Sequence, residues 1–181
     1  MPEKDSPISL VDYDARWPRL FVEERALLYP VLVPWLVGPI EHIGSTAVPG
    51  MAAKPVIDIM AAVESLEESR DAIAAVRSLD YLYAPYHPEE EHWFCKPDPA
   101  FRTHHLHLVP FRSAAWTARI AFRDRLREDG SIAAKYLQLK RNLAASFEHD
   151  REAYTSGKTE FVNRVLGEVA RTKRGPQPDN P

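Results

Sequence analysis

Apolar residues recur at Leu20, Phe21, Leu27, Leu28, Val31, Leu32, Trp35 and Leu36, close to a 3.6-residue period, and predict a helix within 16–37. Pro18 suits a first helical turn. Pro30 and Pro34 predict a break followed by a second short turn of helix. The pattern then changes. Residues 40–44 read as a strand ending on Gly44-Ser45, and 55–63 (Pro-Val-Ile-Asp-Ile-Met-Ala-Ala-Val) as a strand buried on both faces apart from Asp58. Ser65-x-x-Glu68 has the form of a capping box and predicts a helix to about Leu79. Short strands follow at 81–84, 92–96 and 104–109, with 85–91 as a loop. In the last strand, alternation puts Leu106 and Leu108 on one face and His105 and His107 on the other. Helical periods return at 114–128, 131–147 and 158–172, with Gly130 and Gly157 at the boundaries. The final helix carries a stripe of Phe161, Val162, Val165, Leu166 and Val169. This order is that of an α+β protein, or an α/β protein with a mixed sheet.

Composition narrows the class. With 181 residues, 45% hydrophobic and 27% charged, the chain reads as one globular domain over 8–172, with flexible polar ends at 1–7 and 173–181. A net charge of −3 does not favour a general nucleic-acid binder. The single cysteine, Cys95, can form no intrachain disulfide and fits a reducing compartment. Neither a basic-then-apolar leader nor a bilayer-length apolar stretch is visible, so the expectation is a cytoplasmic protein with no membrane partner.

The chemistry concentrates around Asp58. A carboxylate in a strand with buried character is costly unless a metal, a cation or hydrogen-bond donors offset its charge. Separated from it by twelve intervening residues, the Gly44-Ser45 turn can offer backbone N–H groups to a phosphate. Lys54 is either a point charge for that phosphate or the salt-bridge partner of Asp58. The two imidazoles of His105 and His107 suit a metal, a phosphate or acid–base work. The blander readings are a turn, a structural ion pair and a polar strand face. His42 reads as structural. Glu89-Glu90-Glu91 reads as a solvated loop tip, Cys95 as a small buried residue, and Trp93, Phe94, Phe101 and Trp116 as core or pocket wall.

The stretch Glu41-His-Ile-Gly-Ser-Thr-Ala-Val-Pro-Gly50 with Ala53-Lys-Pro-Val-Ile-Asp-Ile59 resembles the GrpB family, also called UPF0157. So do Tyr13-Asp-Ala-Arg-Trp17, Arg102-Thr-His-His-Leu-His-Leu-Val109, Phe122-Arg-Asp-Arg-Leu126, Leu139-Lys140, and Asp150-Arg-Glu-Ala-Tyr154 with Gly157-Lys158 and Phe161. The resemblance covers roughly residues 8–168. It implies the nucleotidyltransferase superfamily and a DNA polymerase β-like fold, a mixed sheet flanked by helices with a helical C-terminal part.

Gly44 and Ser45 would then hold phosphates, and Asp58 would bind a divalent metal, Mg²⁺ or Mn²⁺ ahead of Zn²⁺. The superfamily's second carboxylate belongs at position 60, which is Met60 here. Glu41 is the nearby candidate to supply it. Lys54, Arg102, Lys140 and Lys158 would contact an anionic ligand, with Arg151 and Tyr154 as further rim candidates. His105 or His107 would act as metal ligand or general base. The expected ligand is a nucleotide or another phosphorylated small molecule in a cleft between sheet and helical tail, with nucleotidyl transfer to a small acceptor as the reaction if the site turns over. The alternative is a catalytically degenerate binding or accessory module, in keeping with relatives fused to dephospho-CoA kinase. A weaker option is a single-metal hydrolase on Asp58, His105 and His107.

Overall fold

The structure, a computed structural model, describes residues 7–174. The flexible ends expected at 1–7 and 173–181 therefore lie almost wholly outside the described residues.

A long helix α1 (Trp17–Leu32) leads into strand β1 (Leu36–Ile43), a single 3₁₀ turn (Ser45–Ala47) and strand β2 (Ile57–Val63). Short α2 (Ala72–Ala75) runs on into a 3₁₀ turn, followed by β3 (Leu82–Tyr83), β4 (His92–Pro97) and β5 (Arg102–Pro110). Four helices close the chain: α3 (Ala114–Glu128), α4 (Gly130–Ser146), α5 (Arg151–Ser156) and α6 (Thr159–Arg174). The strands form one mixed sheet in the order β1-β2-β5-β4-β3, in which only β2 and β5 run parallel. This is the expected α+β architecture, a mixed sheet flanked by helices.

Alternation along the strands sorts the two sheet faces. Ile57, Ile59, Ala61 and Val63 of β2, with Leu106 and Leu108 of β5, pack against Phe21, Leu28 and Leu32 of α1 in the main core. The opposite face carries Ile43, Met60, Ala62 and Val109, which pack against Trp116 of α3. The helical end docks through a third cluster, in which Val48 and Met51 of the β1–β2 loop meet Leu126, Tyr136, Phe161 and Val165. Side-chain caps set three of these helices: Ser113 accepts the Trp116 N–H, Asp129 those of Ser131 and Ile132, and Asp150 that of Ala153.

Three expectations are corrected. Pro30 is accommodated inside α1, and a turn over 33–35, closed by the Trp35 N–H on the Leu32 carbonyl at 2.9 Å, leads into β1 in place of a second short helix. The helix expected from Ser65 is delayed until Ala72. Ser65 Oγ does accept the Glu68 N–H at 3.1 Å, but the Ser69 hydroxyl donates back to the Ser65 carbonyl at 2.6 Å and His92 Nε2 donates to the Leu66 carbonyl at 2.8 Å. The Ser69 N–H still reaches the Ser65 carbonyl at 3.2 Å, but His92 takes the Leu66 carbonyl that the Arg70 N–H would use in a helix, and the Arg70 N–H bonds the Glu67 carbonyl instead. Short α5, capped by Asp150, occupies a stretch with no predicted helix.

Candidate functional site

The face of the sheet opposite α1 opens into a cleft of about 730 Å³, roofed by α3, Tyr136 of α4, α5 and Lys158 just before α6. Gly44, Ser45, Lys54, Asp58, Arg102, His105, His107, Arg151, Tyr154 and Lys158 all line it. The sequence motifs therefore converge on one place.

The β1–β2 loop is held open toward the cleft by hydrogen bonds behind it. His42 stacks on Phe21 on the α1 side of the sheet, 4.8 Å between rings. Its Nε2 donates to Thr46 Oγ1 at 3.0 Å, and that hydroxyl donates to the Val56 carbonyl at 3.2 Å. Burial pushes the imidazole down to about 4, so it stays neutral in this structural position. From above, Arg127 donates to the Ala47 carbonyl at 2.8 Å. Gly44 has φ +71° and ψ −172°, a combination essentially restricted to glycine. A Cβ at Gly44 would also overlap the Asp58 carboxylate. The glycine lets the turn pass directly against the acid.

Asp58 stands opposite His105 in the parallel β2–β5 register, and Met60 opposite His107. His105 Nδ1 donates to Asp58 Oδ1 at 2.8 Å, while His107 Nε2 lies 3.9 Å from the same oxygen. His107 Nδ1 donates to Glu91 at 2.7 Å, and Arg119 of α3 donates to Glu91 as well. These side chains form one chain in which nitrogen bases and carboxylates alternate: His105, Asp58, His107, Glu91, Arg119.

Its electrostatics follow from that order. Burial opposes the charge on Asp58, but His105 and then His107 outweigh it and hold the carboxyl well below the usual range. Burial likewise opposes charge on Glu91, yet His107 and Arg119 bring it down to about 2. For His107, burial works against the imidazolium and Glu91 with Asp58 overcomes it, so its pKa rises. For His105, burial prevails over Asp58, so its pKa falls. Two neighbouring histidines are thus biased in opposite directions by their partners. His105 Nε2 is buried without a hydrogen-bond partner among the described residues.

Two sequence expectations need correction. Glu41 does not join Asp58. Its carboxylate is bound by Arg123 of α3 at 2.7 Å, and Arg123 also donates to the His42 carbonyl at 3.0 Å. Lys140 does not line the cleft. It is 2% exposed and donates to the Ala52 carbonyl at 2.6 Å, and burial pushes its pKa down to about 7. Lys140 pins the loop that carries Lys54, which is a structural task.

Other residues escaped the sequence reading. Glu91, expected at a solvated loop tip, is 1% exposed. Counting back by twos from Trp93, which faces the cleft, places Glu91 on the same face, and that period was the available signal. Arg119 and Arg123, given no role from the sequence, both reach the cleft. Trp93 is a pocket wall, with Arg102 stacked 5.2 Å from its ring centroid. Phe101, expected in the core or pocket wall, is 72% exposed.

The charge in the cleft is lopsided. Lys54, Arg102, Arg119, Arg123, Arg151 and Lys158 face Asp58 and Glu152. Lys54 and Lys158 flank one ring, that of Tyr154, at 5.3 and 4.4 Å from its centroid. Burial, with Lys54 adding to it, pushes Lys158 down to about 8. Both ammonium groups lie over the same tyrosine, and the charge on Lys54 works against that on Lys158.

The two-cation arrangement implied by the resemblance does not fit these residues. Met60 is fully buried in apolar surroundings and Glu41 is committed to Arg123, so no second carboxylate joins Asp58 among the described residues. Two hard cations need more oxygen donors than one aspartate.

Residues 7–168 match the family model described as GrpB protein. A UPF0157 protein of Pseudomonas aeruginosa is 37% identical over 176 residues, covering 95% of this chain and 72% of the relative. The crystal structure of conserved protein GrpB from Enterococcus faecalis superposes with a TM-score of 0.80 at 30% identity, covering 91% of this chain and 99% of that one. A more distant match, 31% identical, spans 84% of this chain and 44% of a dephospho-CoA kinase of Mycolicibacterium paratuberculosis. The motifs that line the cleft fall inside the matched span, and the chain belongs to the GrpB (UPF0157) family.

Proposed function

We propose that this protein binds a phosphorylated small molecule, a nucleotide in the leading case, in the cleft between the sheet and the helical end, using a nucleotidyltransferase-like scaffold. The observation that carries this reading is the pair Lys54 and Lys158 across Tyr154. They stand on the wall of a cleft whose floor is the Gly44-Ser45 turn and Asp58. A phosphate within reach of both ammonium groups offsets their mutual repulsion and restores the charge that burial takes from Lys158. Arg102 and Arg151 extend the same cationic wall. The apolar side chains of Phe122, Leu126 and Trp93 suit the organic part of the ligand.

Binding is the part of the superfamily chemistry that this site supports best. Two-metal nucleotidyl transfer needs the acid that Met60 replaces. A role as a ligand-binding module also agrees with the matching segment inside a longer protein named dephospho-CoA kinase.

The test is a thermal-shift titration with ATP, ADP and pyrophosphate, without added metal, on the wild type and on Lys158→Ala. A ligand at a hundredfold excess over its Kd stabilises the fold by about 2.7 kcal/mol. For a chain of this size that raises Tm by roughly 5–10 °C. The expected result is a saturable rise in the wild type that is lost in Lys158→Ala. An equal shift in both proteins, or none with any of the three, contradicts the proposal.

A further inference from the structure

We infer that Asp58, His105 and His107 form a site for one borderline divalent cation, such as Zn²⁺ or Co²⁺, in place of a carboxylate-only Mg²⁺ pair. Each residue offers one ligand atom, and the three atoms lie within 4.8 Å of one another. One oxygen, Asp58 Oδ1, is central: His105 Nδ1 is 2.8 Å away and His107 Nε2 is 3.9 Å away. At 3.9 Å the second pair is too far apart for a hydrogen bond. Cation–ligand bonds of about 2.0–2.2 Å place neighbouring ligand atoms roughly 3–3.5 Å apart, between the two observed spans.

The surroundings of His107 are those of a metal-binding imidazole. Its Nδ1–H is committed to Glu91, which fixes the ring and turns Nε2 toward Asp58, where a bound cation would take the place of the Nε2 proton. Glu91 is itself fixed by Arg119. A carboxylate behind a histidine in this way orients the ring and raises its basicity as a ligand. His105 complements it. Its Nδ1 proton now bridges to Asp58, and a cation there would move that proton to Nε2, which already lacks a partner among the described residues. One carboxylate oxygen and two imidazoles suit a borderline cation better than Mg²⁺, which prefers oxygen ligands. The cleft leaves room on the open side of Asp58 for a phosphate oxygen to complete the shell.

This inference concerns the same cleft as the phosphate reading and can fail separately from it. The test is titration of the untagged protein with Co²⁺ alone, read by its visible d–d absorption, with Zn²⁺ and Mg²⁺ as competitors. One Co²⁺ per chain is expected, with bands diagnostic of nitrogen donors, displaced by equimolar Zn²⁺ and unaffected by millimolar Mg²⁺. Asp58→Asn, which can still accept the His105 N–H, should stay folded by circular dichroism and lose at least 100-fold in affinity. Glu91→Gln touches no cation and should lose about 10–100-fold as a positioning residue. Absence of stoichiometric Co²⁺ in the wild type, equal binding by folded Asp58→Asn, or displacement by Mg²⁺ overturns the inference. If pyrophosphate still binds the metal-free wild type in that event, the phosphate reading survives without it.

Discussion

Two glutamates are buried on opposite sides of the sheet, each holding a histidine of β5. Glu24, in α1, is 5% exposed and accepts from Lys96 at 2.7 Å and from the Tyr81 hydroxyl at 3.1 Å, with His104 Nε2 at 3.8 Å. Glu91, at the entrance to β4, is 1% exposed and accepts from His107 and Arg119. The components are nearly the same. Glu24's network is closed: Lys96 rides over the Tyr81 ring at 5.0 Å, and His104 satisfies its other nitrogen on Thr103. Glu91's network is open. It continues through His107 to Asp58, whose side chain is partly exposed to the cleft, and it ends on a histidine nitrogen with no partner among the described residues. A closed buried network specifies packing, whereas one that reaches a cleft with unspent donors and acceptors is prepared for a ligand.

The largest expected effect is one the two sides share. Glu91→Ala leaves His107 and Arg119 without their buried acceptor, and Glu24→Ala does the same to Lys96 and Tyr81. Each should cost about 3–5 kcal/mol in urea unfolding. A clearly smaller loss for either would show that its network is not a buried charge pair.

Gly44→Ala comes next and acts on one side only. The backbone region of Gly44 costs about 1–3 kcal/mol for a residue with a side chain, and the new methyl displaces Asp58. Stability and ligand binding should fall together. Loss of stability with full binding would mean that Asp58 need not sit against the turn.

The isosteric pair sharpens the contrast. Glu24→Gln should lose about 1–2 kcal/mol of stability and keep ligand affinity within twofold. Glu91→Gln should lose a similar amount of stability together with affinity, because an uncharged acceptor holds His107 and Arg119 less firmly. Equal binding in both variants would erase the distinction between the closed and the open network.

The pH dependence supplies a further test. His107 has a raised pKa in the folded state, so its contribution is fully present below the ordinary histidine value near 6.5 and is lost as pH rises through the folded value. Lys140 acts in the opposite sense. Its pKa falls to about 7 from 10.5, so between those values the unfolded chain holds the proton and stability rises with pH. Urea midpoints in Lys140→Met should lose that rise. A wild-type profile that falls steadily from pH 7 to 10 would contradict the neutral buried amine.

Much of the open side was legible from sequence because its signals are local. Gly44-Ser45, Asp58 and the His105–His107 alternation each declare themselves within a few residues, and strand periodicity carries them to one face. What stayed hidden depends on long-range pairing. Glu91 sits in a run of three glutamates, and only its distance from Trp93 in the strand register distinguishes it from its neighbours. Glu41 was a plausible metal acid until Arg123, 82 residues away, claimed it. Lys140 looked like another cation for the ligand, and nothing near it in sequence says that its amine is spent on the Ala52 carbonyl. The fold was read more completely than the site, since apolar period determines layers whereas charge partners are chosen in three dimensions. The delayed helix after Ser65 has the same cause, with His92 taking a carbonyl from 26 residues away.

The central claim, that the open face is a binding site for a phosphorylated ligand, is tested most directly by calorimetric titration of pyrophosphate into three proteins without metal: wild type, Lys158→Ala and Glu24→Gln. The account predicts one saturable site in the wild type, retained in Glu24→Gln and weakened at least tenfold in Lys158→Ala. Binding that is equal in all three, or absent from the wild type, would contradict it.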